Sequence, residues 1–108
     1  MTDDDIVAEA IDGVFVPRAQ PSVAGVTLDG ESVLYDEASS GLHLLNPTAS
    51  VVWACCDGGG TVNEIVADIA EAFAEPNEVV RNDVLETLRS FGRAGLLVGV
   101  AAEVASGV

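Results

Sequence analysis

Short apolar segments separated by turn residues fill the first half of the chain and predict β-strands. Val23–Leu28 and Glu31–Asp36 are rich in strand-forming residues. The Asp-Gly pair between them is a two-residue hairpin signal, because both positions of such a turn need a positive φ. A polar turn then leads to a third apolar segment, Leu42–Leu45. The pattern predicts a three-stranded antiparallel meander.

The change from strand to helix is expected at Asn46 and Pro47. Asn46 can accept the first free amides of a helix, and Pro47 suits the first helical position because its missing N–H would be unpaired there anyway. The first helix is therefore predicted to run from Pro47 to about Cys56, before Asp57 and a run of three glycines. Its buried side is expected to hold Val52, Trp53 and Cys56.

Two longer helices follow in the pattern. Thr61 and Glu64 have the spacing of a capping box. Apolar residues then recur at helical spacing and predict a core stripe: Val62, Ile65, Val66, Ile69 and Phe73. The third helix is predicted from Asn77 or Glu78 to Ala94, with Gly95 as its left-handed cap and a core stripe of Val80, Val84, Leu88 and Phe91. Three strands followed by three helices indicate a winged-helix-like α+β domain.

The length of 108 residues suits one domain with a real core. We expect residues 1–13 to form an acidic N-terminal arm, residues 14–98 the domain and residues 99–108 a flexible tail. The chain opens with acids rather than the basic start of a secretory signal, and no apolar run reaches about 18 residues. A cytoplasmic location is therefore expected.

The charge narrows the range of partners. Eighteen acids stand against four arginines and no lysine, which gives a net charge of −14. Such a surface repels nucleic acid and anionic membranes. The helix–turn–helix order of residues 47–74 leaves a winged-helix DNA-binding regulator as an alternative. However, the region from Asn46 to Phe73 contains no Lys or Arg to contact phosphates.

No residue pattern points to catalysis. Cys55 and Cys56 are adjacent and His43 is the only histidine, so no zinc-type spacing exists. The glycine run before Thr61 lacks the lysine of a phosphate-binding loop. We therefore expect no enzyme activity, no metal and no cofactor, and we expect the cysteines to be small buried hydrophobes.

A second strip on the third helix admits two interpretations. Arg81, Leu85, Arg89 and Gly92 lie along it. The arginines can pair with Glu78 and Glu86 on the helix surface, or they can flank Leu85 and receive an acidic, partly apolar peptide. Gly92 is unfavourable inside a helix by about 1 kcal/mol, which a close backbone approach would explain.

Several short motifs occur in a fixed order along residues 16–98. They are Leu28-Asp29-Gly30-Glu31, Val33-Leu34-Tyr35-Asp36, His43-Leu44-Leu45-Asn46-Pro47-Thr48-Ala49, Trp53, Asp57-Gly58, Thr61-Val62-Asn63-Glu64-Ile65 and Ala94-Gly95-Leu96-Leu97. This order resembles the PqqD-like family, small proteins related to coenzyme PQQ synthesis protein D. These proteins are also called recognition elements of ribosomally made, post-translationally modified peptides (RiPPs). The Leu-Asn-Pro-Thr form at residues 45–48 departs from the strict PQQ member, so the PQQ pathway itself is not implied.

The resemblance implies a non-catalytic peptide chaperone. Such a domain binds the leader of a precursor peptide as an extra antiparallel strand on the third strand, beside the third helix. It then presents the peptide to a modifying enzyme, either a radical SAM enzyme or a lasso-type leader peptidase or cyclase. The peptide-binding residues expected from the resemblance and the third-helix strip are Leu42, His43, Leu44, Leu45, Arg81, Leu85, Leu88, Arg89 and Gly92.

The side-chain face of the third strand is left open by the sequence. If Leu45 points into the core, the period of two places His43 on the same face and Leu42 and Leu44 on the other. Main-chain groups along an unpaired edge can bind a peptide, and they can equally pair with a second copy to give an edge-strand homodimer. A protein–protein adaptor without a peptide substrate is a further alternative.

Overall fold

The structure is a computed structural model that describes residues 5–38 and 40–102. It is an α+β fold in which a three-stranded antiparallel sheet is followed by three helices, as predicted. In chain order the elements are β1 (Ile6–Val7), a 3₁₀ turn (Ala8–Ala10), β2 (Val23–Leu28), β3 (Glu31–Asp36), β4 (Gly41–Leu45), α1 (Pro47–Ala54), α2 (Val62–Phe73), α3 (Asn77–Arg93) and β5 (Val100–Ala101).

The meander has the order β2-β3-β4. Asp29 and Gly30 adopt φ angles of 53° and 79°, and Leu28 pairs with Glu31 on either side of them, as a two-residue hairpin requires. Strand β3 then pairs antiparallel with β4, with Leu34 opposite His43. Because β3 is the central strand, β4 forms one border of the sheet.

The helix ends follow the signals in the sequence. The Asn46 Oδ1 atom accepts the Ala49 amide at 2.8 Å, and both halves of the Thr61–Glu64 capping box are present. Helix α1 ends at Ala54, two residues before the predicted Cys56, because the Cys55 amide already turns back to the Val52 carbonyl at 3.0 Å.

The core lies between the meander and the helices. Helix α3 buries the four predicted stripe residues, and α2 buries Val62, Ile65 and Val66. Phe73 differs from the expectation, because it lies at the end of α2 with 58% of its side chain exposed. The Trp53 ring packs edge-on against Phe91, with ring centroids 5.4 Å apart, which joins α1 to α3.

The two chain ends differ from the expected arm and tail. Strands β1 and β5 pair in parallel, and the Ile6 amide donates to the Gly99 carbonyl at 3.0 Å. Ile11 is fully buried, and Ala8 and Val100 are also in the core. The described parts of both ends therefore belong to the packed domain. The predictions for residues 1–4 and 103–108 lie outside the described residues.

Candidate functional site

The border strand β4 turns part of its backbone away from the sheet. In the two-residue hairpin, Leu28 and Glu31 form a hydrogen-bonded pair. Every second residue of β3 from Glu31 onward therefore makes its backbone hydrogen bonds to β2. The Glu37 amide continues this pattern by donating to the Ser22 carbonyl at 3.0 Å. The intervening residues of β3, including Leu34, must therefore make their backbone hydrogen bonds to β4.

This alternation determines which β4 residues have backbone amides and carbonyls that point away from the sheet. His43 and Leu45 lie opposite Leu34 and Ser32, so their amides and carbonyls are used in the ladder with β3. The amides and carbonyls of Leu42 and Leu44 consequently point away from β3. No other described strand pairs with β4. We call this border, residues 42–45, the open edge.

Side chains alternate along the open edge as the period of two predicts. Leu45 is buried and His43 is half-buried on the core side, whereas Leu42 and Leu44 are 69% and 82% exposed on the opposite side. That opposite side, the outer sheet face, is apolar over much of its area. Its other exposed apolar residues on β2 and β3 are Val26, Leu28, Val33 and Tyr35.

A groove runs beside the open edge, between the end of β4, the start of α1 and one side of α3. Its volume is about 470 Å³. Residues Leu44, Leu45, Asn46, Thr48 and Ala49 line the sheet side, and Asp83, Glu86, Thr87, Ser90 and Phe91 line the α3 side. We call it the β4–α3 groove. It provides space for a chain next to the open edge.

A second, more apolar cavity of about 460 Å³ adjoins this groove at Thr48 and Asp83. It lies where α1, α2 and α3 meet, and the tip of the hairpin at Gly30 also borders it. Its apolar lining includes Val51, Ile69, Phe73, Val79 and Val84. The exposure of Phe73 is thus explained, because its ring borders a surface cavity rather than the core.

The structure places the two predicted arginines of α3 away from the groove. The Arg81 Nη1 atom donates to the Asn63 side chain at 2.6 Å, and the Arg89 Nη2 atom donates to the Ile11 carbonyl at 2.9 Å. Within the described ranges neither arginine pairs with Glu78 or Glu86, so the helix-surface pairs considered from the sequence are not formed.

The remaining predicted residues of α3 also lie outside the groove lining. Leu88 is fully buried and Leu85 is half-buried. A Cβ atom on Gly92 would come within 2.7 Å of Val100 Cγ1, so the close approach expected at this glycine is made by the chain's own β5. At about 100° per residue, the predicted strip and the groove-lining residues occupy nearly opposite sides of α3.

The groove residues on α3 were missed by the sequence analysis. Asp83, Glu86, Thr87 and Ser90 follow an i, i+3, i+4, i+7 spacing, so they form a polar strip next to the core stripe. This strip is visible in the sequence. What the sequence does not contain is the rotation of α3 relative to the sheet, which decides whether this strip or the arginine strip faces β4.

The cysteines have the packing role that was expected. Cys56 is buried, and its thiol donates to the Val52 carbonyl at 3.4 Å. Burial raises the pKa of the Cys56 thiol to about 12, and the neighbouring Cys55 and Asp57 add to the rise. Burial also raises the pKa of Cys55, with further contributions from Asp57 and Asp68. Both thiols are therefore poor nucleophiles at neutral pH.

We expect Cys56 to make the fold less stable at high pH. Between its ordinary pKa of 9.0 and its folded pKa of about 12, the unfolded chain has lost the thiol proton while the folded chain keeps it. Stability falls as the pH rises through this window, by up to about 1.4 kcal/mol per pH unit. Urea unfolding measured across the window should show this fall, and Cys56→Ala should show a shallower one, because only Cys55, whose pKa is also raised, then contributes. Equal slopes in both proteins would contradict the assignment.

Other kinds of site have no support in the described residues. Within residues 5–38 and 40–102, no group of three or more His, Cys, Asp or Glu side chains is placed to hold a metal ion. None of the described helices combines the length and the apolar character needed to cross a bilayer. The open edge and the adjoining groove are therefore the features from which function can be argued.

Comparison with solved structures gives three similar folds. The first, "TbiB1 in Complex with the TbiA(beta) Leader Peptide", has a TM-score of 0.70 at 25% identity, over 78% of this chain and 98% of that one. The second, "Lasso peptide synthetase B1 complexed with the leader peptide", has a TM-score of 0.68 at 18% identity, over 78% and 99% of the two chains.

The third similar structure is the PqqD truncation of Methylobacterium extorquens PqqCD, described as a functional and stand-alone RiPP recognition element. Its TM-score is 0.71 at 22% identity, over 83% of this chain and 96% of that one. The comparison with curated protein sequences gives no match.

The sequence also matches a family profile over more than half of its length. The profile is that of "Coenzyme PQQ synthesis protein D (PqqD)", and the matched residues are 31–97. They include β3, the open edge and all three helices. Members of this family are non-catalytic peptide-binding domains, which confirms the expectation that the chain is not an enzyme. The profile match and the shared fold together show that the chain belongs to the PqqD family of RiPP recognition elements.

Proposed function

We propose that this protein binds the leader of a ribosomally made precursor peptide as an added strand on the open edge, and presents it to a modifying enzyme inside the cell. The observation that carries the proposal is the outward direction of the Leu42 and Leu44 backbone groups beside the β4–α3 groove. A visiting strand there would gain main-chain hydrogen bonds from the edge and side-chain contacts from the groove.

The described C-terminal segment leaves the edge accessible. Strand β5 pairs with β1 rather than with β4, and Gly92 packs against Val100 on the far side of α3. Two of the similar structures, TbiB1 and a lasso peptide synthetase B1, are complexes with leader peptides. This likeness favours a lasso-type peptidase or cyclase over a radical SAM enzyme as the partner to which the leader is presented.

The binding residues that we propose follow the geometry of the edge. Leu42 and Leu44 supply outward backbone groups, and their exposed side chains flank alternate residues of the visitor on the outer sheet face. Leu45 lines the groove, and half-buried His43 shares its face. A role for Arg81, Leu85, Leu88, Arg89 and Gly92 in peptide contact stays an untested prediction, and their positions favour internal packing and hydrogen bonding instead.

The proposal can be tested by titrating ¹⁵N-labelled protein with the leader of a precursor encoded beside its gene. Amide shifts should change along residues 42–46 and along the groove side of α3, residues 83–90, because these segments would flank the added strand. The outcome against the proposal is a saturating titration whose shift changes are confined to other surfaces, or no binding by any such leader. A molecular mass in solution equal to that of two copies, measured without peptide, would indicate edge-strand dimerisation instead.

A further inference from the structure

We infer that the segment of the bound peptide lying over the β4–α3 groove is cationic, with Lys or Arg at alternate positions and apolar residues between them. This inference rests on the proposed function and names the class of leader that the site selects. It reverses the expectation of an acidic peptide, which depended on Arg81 and Arg89 facing the visitor.

The β4–α3 groove carries negative charge. Asp83 and Glu86 are the charged residues in its lining, and both are exposed. Neither makes an ion pair or a side-chain hydrogen bond within the described residues. A cationic side chain lying over α3 would therefore meet two carboxylates that are not already neutralised. An acidic side chain would meet like charge, which lowers affinity and acts against wrong partners.

The arginines of the chain make their contacts outside this groove. The chain has four cationic side chains besides one histidine. Arg81 and Arg89 bond to Asn63 and Ile11, and Arg93 forms an ion pair with Glu9 at 3.1 Å. Arg18 lies over Gly58, where a Cβ atom would come within 2.5 Å of its guanidinium carbon. No described arginine lines the groove.

The start of α1 also faces the groove, and a helix N-terminus attracts anions. Here that attraction is reduced by the cap. Pro47 has no amide, and the Ala49 amide already donates to Asn46 Oδ1 at 2.8 Å. The carboxylates of Asp83 and Glu86 therefore dominate the local field.

The alternation follows from strand geometry. Successive side chains of a strand paired with β4 point to opposite faces of the sheet. One set continues the core side of the sheet, where α3 presents Asp83 and Glu86. The other set continues the outer sheet face beside the exposed side chains of Leu42 and Leu44. The first set would be cationic and the second apolar.

The test uses three short synthetic peptides that alternate valine with lysine, with glutamine or with glutamate. Affinities of the full chain for each are measured by calorimetry at low and high salt. We expect the lysine peptide to bind at least about threefold more tightly than the glutamine peptide at low salt, and the glutamate peptide to bind least. The preference should shrink at high salt, because exposed charges are screened.

Asp83→Asn combined with Glu86→Gln should remove the preference for lysine over glutamine, because the two carboxylates of the groove are then neutral. The matched control is Asp68→Asn with Glu71→Gln on α2, which changes the net charge equally at exposed positions outside the groove. It should keep the preference.

Equal binding of all three peptides, or a lysine preference that survives Asp83→Asn with Glu86→Gln, would overturn the inference and leave edge pairing intact. Binding of none of the three would also overturn it. The proposed function is judged separately by the titration with a precursor leader, so the two can fail independently.

Discussion

Leu44→Pro is expected to lower the affinity for a leader peptide at least about tenfold while leaving the protein folded. The Leu44 amide points away from β3, so proline removes a donor that only a visiting strand would use. The carbonyl of the visitor then loses its partner at a cost of about 1–3 kcal/mol, and about 1.4 kcal/mol is already a factor of ten. Calorimetric titration with the leader measures the change.

Two further variants, one at Leu44 and one at the adjacent His43, separate the loss of the edge amide from the loss of a side-chain contact and from a loss of stability. Leu44→Ala keeps the amide, so it should lose affinity only through the lost apolar contact. His43→Pro removes an amide that bonds to β3, so it should reduce the thermal stability as well as the binding. A Leu44→Pro protein that binds the leader as the wild type does would rule out edge pairing. A Leu44→Ala protein as weak as Leu44→Pro would assign the loss to the side chain.

Ile11→Ala is expected to lower the stability of the fold more than Leu44→Pro does. Its side chain is fully buried and lies near the Gly92 backbone. Truncating a buried isoleucine costs about 2–5 kcal/mol, from lost burial and the cavity left behind. For a domain of this size, that corresponds to a fall in the melting temperature of about 10 °C or more. Differential scanning calorimetry would measure it.

Val14→Ala is the matched control for Ile11→Ala. It removes a β-branched side chain from the same segment, but Val14 is 73% exposed. Its effect should stay within about 0.5 kcal/mol. If Ile11→Ala were as mild as Val14→Ala, the described residues up to Gly13 would be a detached arm, as the sequence suggested for residues 1–13, rather than part of the core.

The features that the sequence predicted well are local ones. The Asp29-Gly30 turn requires positive φ at both positions, so two adjacent residues identify the hairpin. The Thr61–Glu64 box is similarly contained within four residues. The open edge follows from these local signals, because a meander of three strands leaves its last strand on the border.

The features that it missed depend on contacts between distant residues. Strands β1 and β5 have two residues each, which is too short for any periodic signal, and they lie at opposite ends of the sequence. The direction in which α3 turns its arginines is set by the same packing, because Arg89 reaches the Ile11 carbonyl. Whether Arg81 and Arg89 can contact a ligand depends on how α3 is rotated about its own axis relative to the sheet. The local sequence pattern does not specify this rotation.

The pairing of β1 with β5 has a practical consequence for building fusion proteins. Both strands lie against the side of α3 that carries Gly92, so the described chain enters and leaves the domain on the side of α3 opposite the β4–α3 groove. A fusion partner attached before β1 or after β5 is therefore expected to leave the open edge accessible.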